Sequence, residues 1–109
     1  MPAPAVAAAQ DCDAQRVMRV DSGNGKAIAD GFALDAYGQA ESAGWKKPQL
    51  ILADQDNGVA TADFIACRPA VSAQVITPIE THIGLGLAAT TKRIVIRSRT
   101  NTVTIDVSK

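Results

Sequence analysis

The feature that most constrains this chain is its stock of β-branched side chains: nine Val, nine Ile and eight Thr stand against only five Leu. Such side chains are stiff at χ1 and fit a pleated surface better than a helix. They also recur at period two. Over Lys92–Val107, Ile94, Ile96 and Ser98 alternate with Arg93, Val95 and Arg97, while Val103, Ile105 and Val107 alternate with Thr104 and Asp106. A tight turn at Thr100–Asn101, with Asn101 supplying a positive φ, pairs Ile96 with Ile105, Ile94 with Val107 and Arg97 with Thr104. Every apolar partner then lies on one face, a match that a one-residue slip destroys.

A second hairpin is signalled over Gln49–Ala66 by Asn57-Gly58, the dipeptide whose two residues best accept the positive φ of a type I′ turn. Its register sets Ile51 opposite Phe64 and Leu50 opposite Ile65. Pro48 suits the first position of the incoming strand, where its missing N–H is not needed. Val71–Ile83 is a further extended stretch whose Pro78 demands an edge or a bulge, and Arg16–Asp21 is a short strand closed by Ser22-Gly-Asn-Gly25. Between them lies an ambiguous segment. Ile28, Phe32, Ala36 and Ala40 recur every four residues, as on a helix, whereas Phe32, Leu34 and Ala36 alternate, as on a strand. Gly31 and Gly38 would each cost a helix interior about 1 kcal/mol relative to Ala. A strand over Gly31–Ser42 with a bulge at Gly38 is therefore favoured, and a helix at 27–43, which would make the fold α+β, is the alternative. The favoured reading gives about seven strands in a mainly β, small antiparallel sandwich of immunoglobulin-like size.

The chain has 109 residues, which fits one domain. Residues 1–11, with Pro2, Pro4 and a run of Ala, have no core-forming period and read as a flexible tail, leaving 12–109 as the domain. The opening segment has neither the charged nor the long apolar part of a complete signal peptide. It resembles the flexible start of a mature exported protein or a tether behind a lipid-modified N-terminus. Cys12 and Cys67 are the two cysteines, and an even count in a short chain fits one disulfide. Closing a loop of about 56 residues would contribute about 4 kcal/mol by loop entropy. A bridge implies the periplasm, an outer-membrane lipoprotein or a secreted protein, because cytosolic disulfides are rare.

The pattern Gly38-x-Ala40, Gly44-Trp45-x-x-Pro48-x-Leu50, Asn57-Gly58, Asp63-Phe64-x-Ala66 is similar to that of small exported bacterial β-domains of unknown function. The resemblance implies an all-β fold outside the cytosol and brings no activity with it.

Apolar runs are far shorter than a membrane span, so the chain is not expected to cross a bilayer as a helix. Eleven basic and eleven acidic side chains cancel, and no global field points to DNA or anionic lipid. The distribution is nonetheless uneven. Residues 1–66 carry five basic and nine acidic groups, a net of −4, and residues 67–109 carry six and two, a net of +4. Lys92, Arg93, Arg97 and Arg99 cluster on the outer face of the last hairpin. They either protect an exposed edge from aggregation or form a patch for an anionic envelope or extracellular partner, a protein or a polysaccharide. No aromatic platform interleaves them, so a single-stranded nucleic-acid groove is not expected. Trp45 is a core anchor or an exposed contact residue.

Candidates for chemistry are few. Gly84-Leu-Gly-Leu-Ala-Ala89 has dinucleotide-fingerprint spacing but is followed by a β-patterned run instead of a helix. Asp54-Gln-Asp-Asn-Gly58 departs from a calcium loop, with Gly fifth and Ile65 at the twelfth position. His82 has no second ligand for a metal and no Gly-x-Ser-x-Gly elbow to serve. No cofactor and no metal are expected. The reading is a non-enzymatic binding domain of the bacterial cell envelope. Its alternatives are an inhibitor that presents Thr81–Thr91 to an extracellular hydrolase, and a small hydrolase using His82.

Overall fold

The computed structural model describes residues 12–70, 73–88 and 90–107; the 1–11 tail lies outside them. Eight strands follow one another: β1 (Asp13–Arg16), β2 (Arg19–Ile28), β3 (Gly31–Ala40), β4 (Lys46–Asp56), β5 (Val59–Arg68), β6 (Thr77–Leu85), β7 (Arg93–Arg97) and β8 (Thr102–Asp106). One sheet is built around β5, with β4 on one side and both β1 and β7 on the other, and β8 beyond β7. The second sheet has the order β2-β3-β6. The sheets stack as a sandwich in which β2 crosses over β8 and β6 lies over β4. All ladders among the described residues are antiparallel except β5–β7, which is parallel.

Period two prevails over period four in β3. Phe32, Leu34, Ala36 and Ala40 are buried while the residues between them are half-exposed, and no helix occurs among the described residues. The helical alternative at 27–43 is overturned. The bulge expected in β3 lies instead on its partner, between Val20 and Ser22. Gly38 is opposite it, where the Arg19 carbonyl leaves no room for a Cβ.

The stretch Ser22-Gly-Asn-Gly25, expected to close a strand, runs through the middle of β2. Its glycines answer to packing. A Cβ at Gly23 would lie 2.8 Å from Ile105 Cδ1 and 2.9 Å from Ile96 Cδ1, and one at Gly25 would collide with Val107 Cγ1. β2 therefore passes directly over β8, with bare backbone against its branched side chains. The single Arg16–Asp21 strand is in fact two, β1 and β2, separated at Val17-Met18, so the described residues form eight strands.

The β4–β5 turn has Asn57 at φ 50° and Gly58 at φ 80°, as a type I′ turn requires. From the turn the expected register holds through Asp54↔Thr61, after which a bulge at Ala53 shifts it by one. Leu50 thus faces Phe64, and Ile51 faces Asp63. Pro48 is the third residue of β4, beside a second irregularity. In the last hairpin, Ser98 N donates to Asn101 O (2.9 Å) and Asn101 N to Ser98 Oγ (3.1 Å). The loop is Arg99–Thr100, one position earlier than expected. Moving a two-residue loop by one shifts every pair by two, so the faces survive but Ile94 pairs with Ile105, Ile96 with Val103 and Arg97 with Thr102.

Asn101 has no positive φ; it works through its side chain. Its Oδ1 accepts from Val20 N at 3.0 Å and its Nδ2 donates to Val20 O at 2.8 Å, substituting for a strand neighbour. Of the extended 71–83 stretch, Val71 and Ser72 lie outside the described residues, residues 73–76 are not strand, and Pro78 sits on the edge strand β6, which begins at Thr77.

Phe64, Leu34, Leu50, Ile94, Ile96, Val17 and Val20 are fully buried and fill the space between the sheets. Each contributes about 1.5–3 kcal/mol by leaving water. Cys12 and Cys67 are bridged, with Cα atoms 5.6 Å apart across 55 residues, fastening the start of β1 to the end of β5.

Candidate functional site

The outward positions of β5, β7 and β8 follow from the ladders. Arg93 lies between Val59 and Asp106, and Arg97 between Asp63 and Thr102. The four clustered basic residues therefore meet different fates. Arg97 donates from Nε and Nη2 to the two Asp63 oxygens, at 2.7 and 3.2 Å, in a fork-on-fork geometry. Arg16 Nε approaches the same carboxylate at 3.6 Å. Arg99 reaches off the last turn to Glu41 at 2.9 Å, tying the turn to the β3–β4 connection. Arg93 makes only a loose pair with Asp106, at 3.4 Å, and both side chains are largely exposed (63% and 79%). Lys92 is exposed and has no ion pair among the described residues.

Lys92 and Arg93 also share a cleft of about 450 Å³, lined in addition by Asn57, Gly58, Val59 and Asp106. Its frame is rigid. Lys92 N and Arg93 N both donate to Gly58 O, at 2.7 and 3.1 Å, and Val107 N donates to Lys92 O at 2.9 Å. The parallel entry of β7 beside β5 thus brings the type I′ turn against the two cations. Asn57 and Asp106, which line this cleft, carry no such signal in the sequence: Asn57 reads there only as a turn former, and Asp106 faces Arg93 only in the shifted register.

His82 projects from β6 on the outer face of the other sheet, opposite Asp35. Its Nδ1 is 2.7 Å from Asp35 Oδ1 and its Nε2 is 3.2 Å from Glu80 Oε2, with the Tyr37 ring edge-on at 5.7 Å. The hydrogen bond to Asp35, and then that to Glu80, raises the imidazole pKa above its ordinary value. Both ring nitrogens are thus engaged by carboxylates, and no serine hydroxyl bonds to either among the described residues.

Trp45 is half-buried against the core and donates from Nε1 to the buried Ser42 Oγ at 3.0 Å. The Thr81–Thr91 segment is no free loop: Thr81–Leu85 belong to β6 and Leu87 and Thr91 are buried. The glycine run from Gly84 leads out of β6 without entering a helix. Asp54 and Asp56 stay exposed beside the turn while Asp63 is taken by arginines, and no group of three or more His, Cys, Asp or Glu side chains suited to a metal ion occurs among the described residues. No helix among the described residues is long and apolar enough to cross a membrane.

No family model, curated protein or solved structure matches the chain.

Proposed function

We propose that the chain is an exported, non-enzymatic binding domain of the bacterial cell envelope that meets an anionic partner through Lys92 and Arg93. The observation that carries this reading is the sorting of the basic cluster. Arg97 and Arg99 are spent on Asp63 and Glu41, whereas Lys92 and the loosely held Arg93 leave their charge to solvent at a shared cleft. A frame fixed by backbone hydrogen bonds limits the ordering cost of binding there. The Cys12–Cys67 bridge is consistent with an oxidising compartment, the periplasm or the exterior, and the resemblance to small exported β-domains points the same way.

The test uses matrices carrying a carboxylated, a sulfated and a neutral polymer, with retention of the oxidised protein measured at low and at raised salt. Retention on an anionic matrix that falls with salt and is lost in Lys92→Glu/Arg93→Glu supports the reading. Equal retention on the neutral matrix, or none on either anionic one, contradicts it.

A further inference from the structure

We infer that the Lys92–Arg93 cleft takes a single carboxylate carried on a hydroxyl-rich ring, as in a uronate residue of an acidic polysaccharide. The inference rests on the anionic-partner reading and narrows it.

Charge decides first. The lining contributes two cations and the carboxylate of Asp106, a net of one positive charge suited to a monoanion. Asp56, exposed one residue before the turn and 3.5 Å from the Asn57 amide, brings the total including that neighbour to zero, so a second negative charge on a ligand would go uncompensated. A phosphate dianion or a densely sulfated chain meets repulsion from both aspartates, and specificity grows as much from that repulsion as from attraction.

The hydrogen-bonding groups decide next. Arg93 contacts Asp106 through Nε at 3.4 Å, against the two bonds of 2.7 and 3.2 Å from Arg97 to Asp63. The Asp106 contact uses Nε, which leaves the Nη1–Nη2 edge of the guanidinium for bidentate recognition of a carboxylate. Lys92 adds a second, flexible cation. Asp106 can accept from ring hydroxyls and the Asn57 amide can donate to them; among the described residues that amide otherwise makes only a 3.5 Å contact with Asp56.

The lining also argues against an acidic protein. Among the described residues that line it, Val59 is the only aliphatic side chain beyond the stems of Lys92 and Arg93, and none is aromatic, whereas protein interfaces draw their energy from buried aromatic and Arg anchors in packed pockets. Without a stacking ring, a single uronate should bind weakly, with Kd of about 1 mM.

The experiment is an amide chemical-shift titration of the oxidised full chain with a uronate trisaccharide. The same trisaccharide with its carboxyls reduced, a sulfated trisaccharide and a poly-glutamate peptide are run alongside. The expected result is a saturable shift centred on Asn57, Gly58, Lys92, Arg93 and Asp106 with the uronate alone. Affinity should fall about tenfold in Lys92→Gln and stay unchanged in Lys26→Gln, on the outer face of the other sheet. Tighter binding of the sulfated sugar or the peptide to these amides overturns the ligand class and leaves the anionic-partner reading standing. Equal binding of the carboxyl-reduced sugar overturns the charge requirement. Shifts centred elsewhere, or none with any anion, overturn both.

Discussion

Adding one methyl group at Gly25 tests the stacking of β2 on β8, on which the sandwich depends. A Cβ there collides with Val107 Cγ1 and falls 3.2 Å from Leu34 Cδ2 and 3.7 Å from Ile105 Cγ2. Val107 and Leu34 are both buried, so neither can swing into solvent. Overpacking of this kind costs about 1–3 kcal/mol, and the lower entropy of the unfolded Ala chain offsets about 0.4–1 kcal/mol of it. Gly25→Ala should therefore destabilise by about 1–2 kcal/mol, which for a domain of this size lowers the melting temperature by roughly 5–10 °C. The assay is urea unfolding of the oxidised protein followed by circular dichroism, read at constant m-value. Two controls isolate the cause. In Gly84→Ala the nearest atom is Ile28 Cδ1 at 3.8 Å, an ordinary contact, and the change should be neutral or stabilise by about 0.4–1 kcal/mol. In Gly25→Ala/Val107→Ala the collision is gone, and the double variant should be about 1 kcal/mol more stable than the summed single effects. If Gly25→Ala behaves like Gly84→Ala, or adds to Val107→Ala without coupling, β2 does not lie against β8 as described.

Reducing the Cys12–Cys67 bridge, which spans 55 residues, should cost about 4 kcal/mol in the loop-entropy limit; a urea midpoint unmoved by reductant would contradict a structural role. Asn101→Ala removes both side-chain bonds to Val20 and leaves part-buried backbone groups unpaired, so unfolding should become easier by about 1–3 kcal/mol; a loss below measurement error refutes the strand-substitute role. His82, raised above its ordinary 6.5 by Asp35 and Glu80, favours the folded state when protonated. Its contribution is complete below pH 6.5 and fades as pH rises through the raised value. An NMR titration placing His82 at or below 6.5, or a stability profile that His82→Gln leaves unchanged, would refute the pairing.

What could be read from residues alone was whatever obeys local rules. The alternation from Arg93 to Val107 assigned inner and outer faces correctly because period two is intrinsic to the strand. Asn57-Gly58 announced its turn because few residues accept a positive φ. Ser22-Gly-Asn-Gly25 misled for a related reason. Small polar residues signal turns, yet these glycines are required by Ile96, Ile105 and Val107, some seventy to eighty residues further on, and no local pattern reports a strand passing overhead. The bulge at Ala53 and the loop at Arg99–Thr100 depend on packing and on Ser98–Asn101 hydrogen bonds: the β7–β8 register differs by two and keeps its faces, whereas the one-residue shift in β4 puts Leu50, in place of Ile51, on the buried face with Phe64. The candidate site divides along the same line. Lys92 and Arg93 were visible as charges, but Asp63 and Glu41, which occupy Arg97 and Arg99, lie 34 and 58 residues away and are assigned only by the tertiary arrangement.

The division of labour among the basic residues is tested most directly by comparing Lys92→Glu and Arg97→Glu in two assays, melting temperature and retention on a carboxylated matrix. Arg97→Glu sets a carboxylate against Asp63, which is only 20% exposed, and should lower the melting temperature; Lys92→Glu should leave it within error and abolish retention. A Lys92→Glu protein that melts early, or that binds as well as the parent while a stable Arg97→Glu protein does not, would contradict the assignment of Lys92 and Arg93 to binding and Arg97 to the fold.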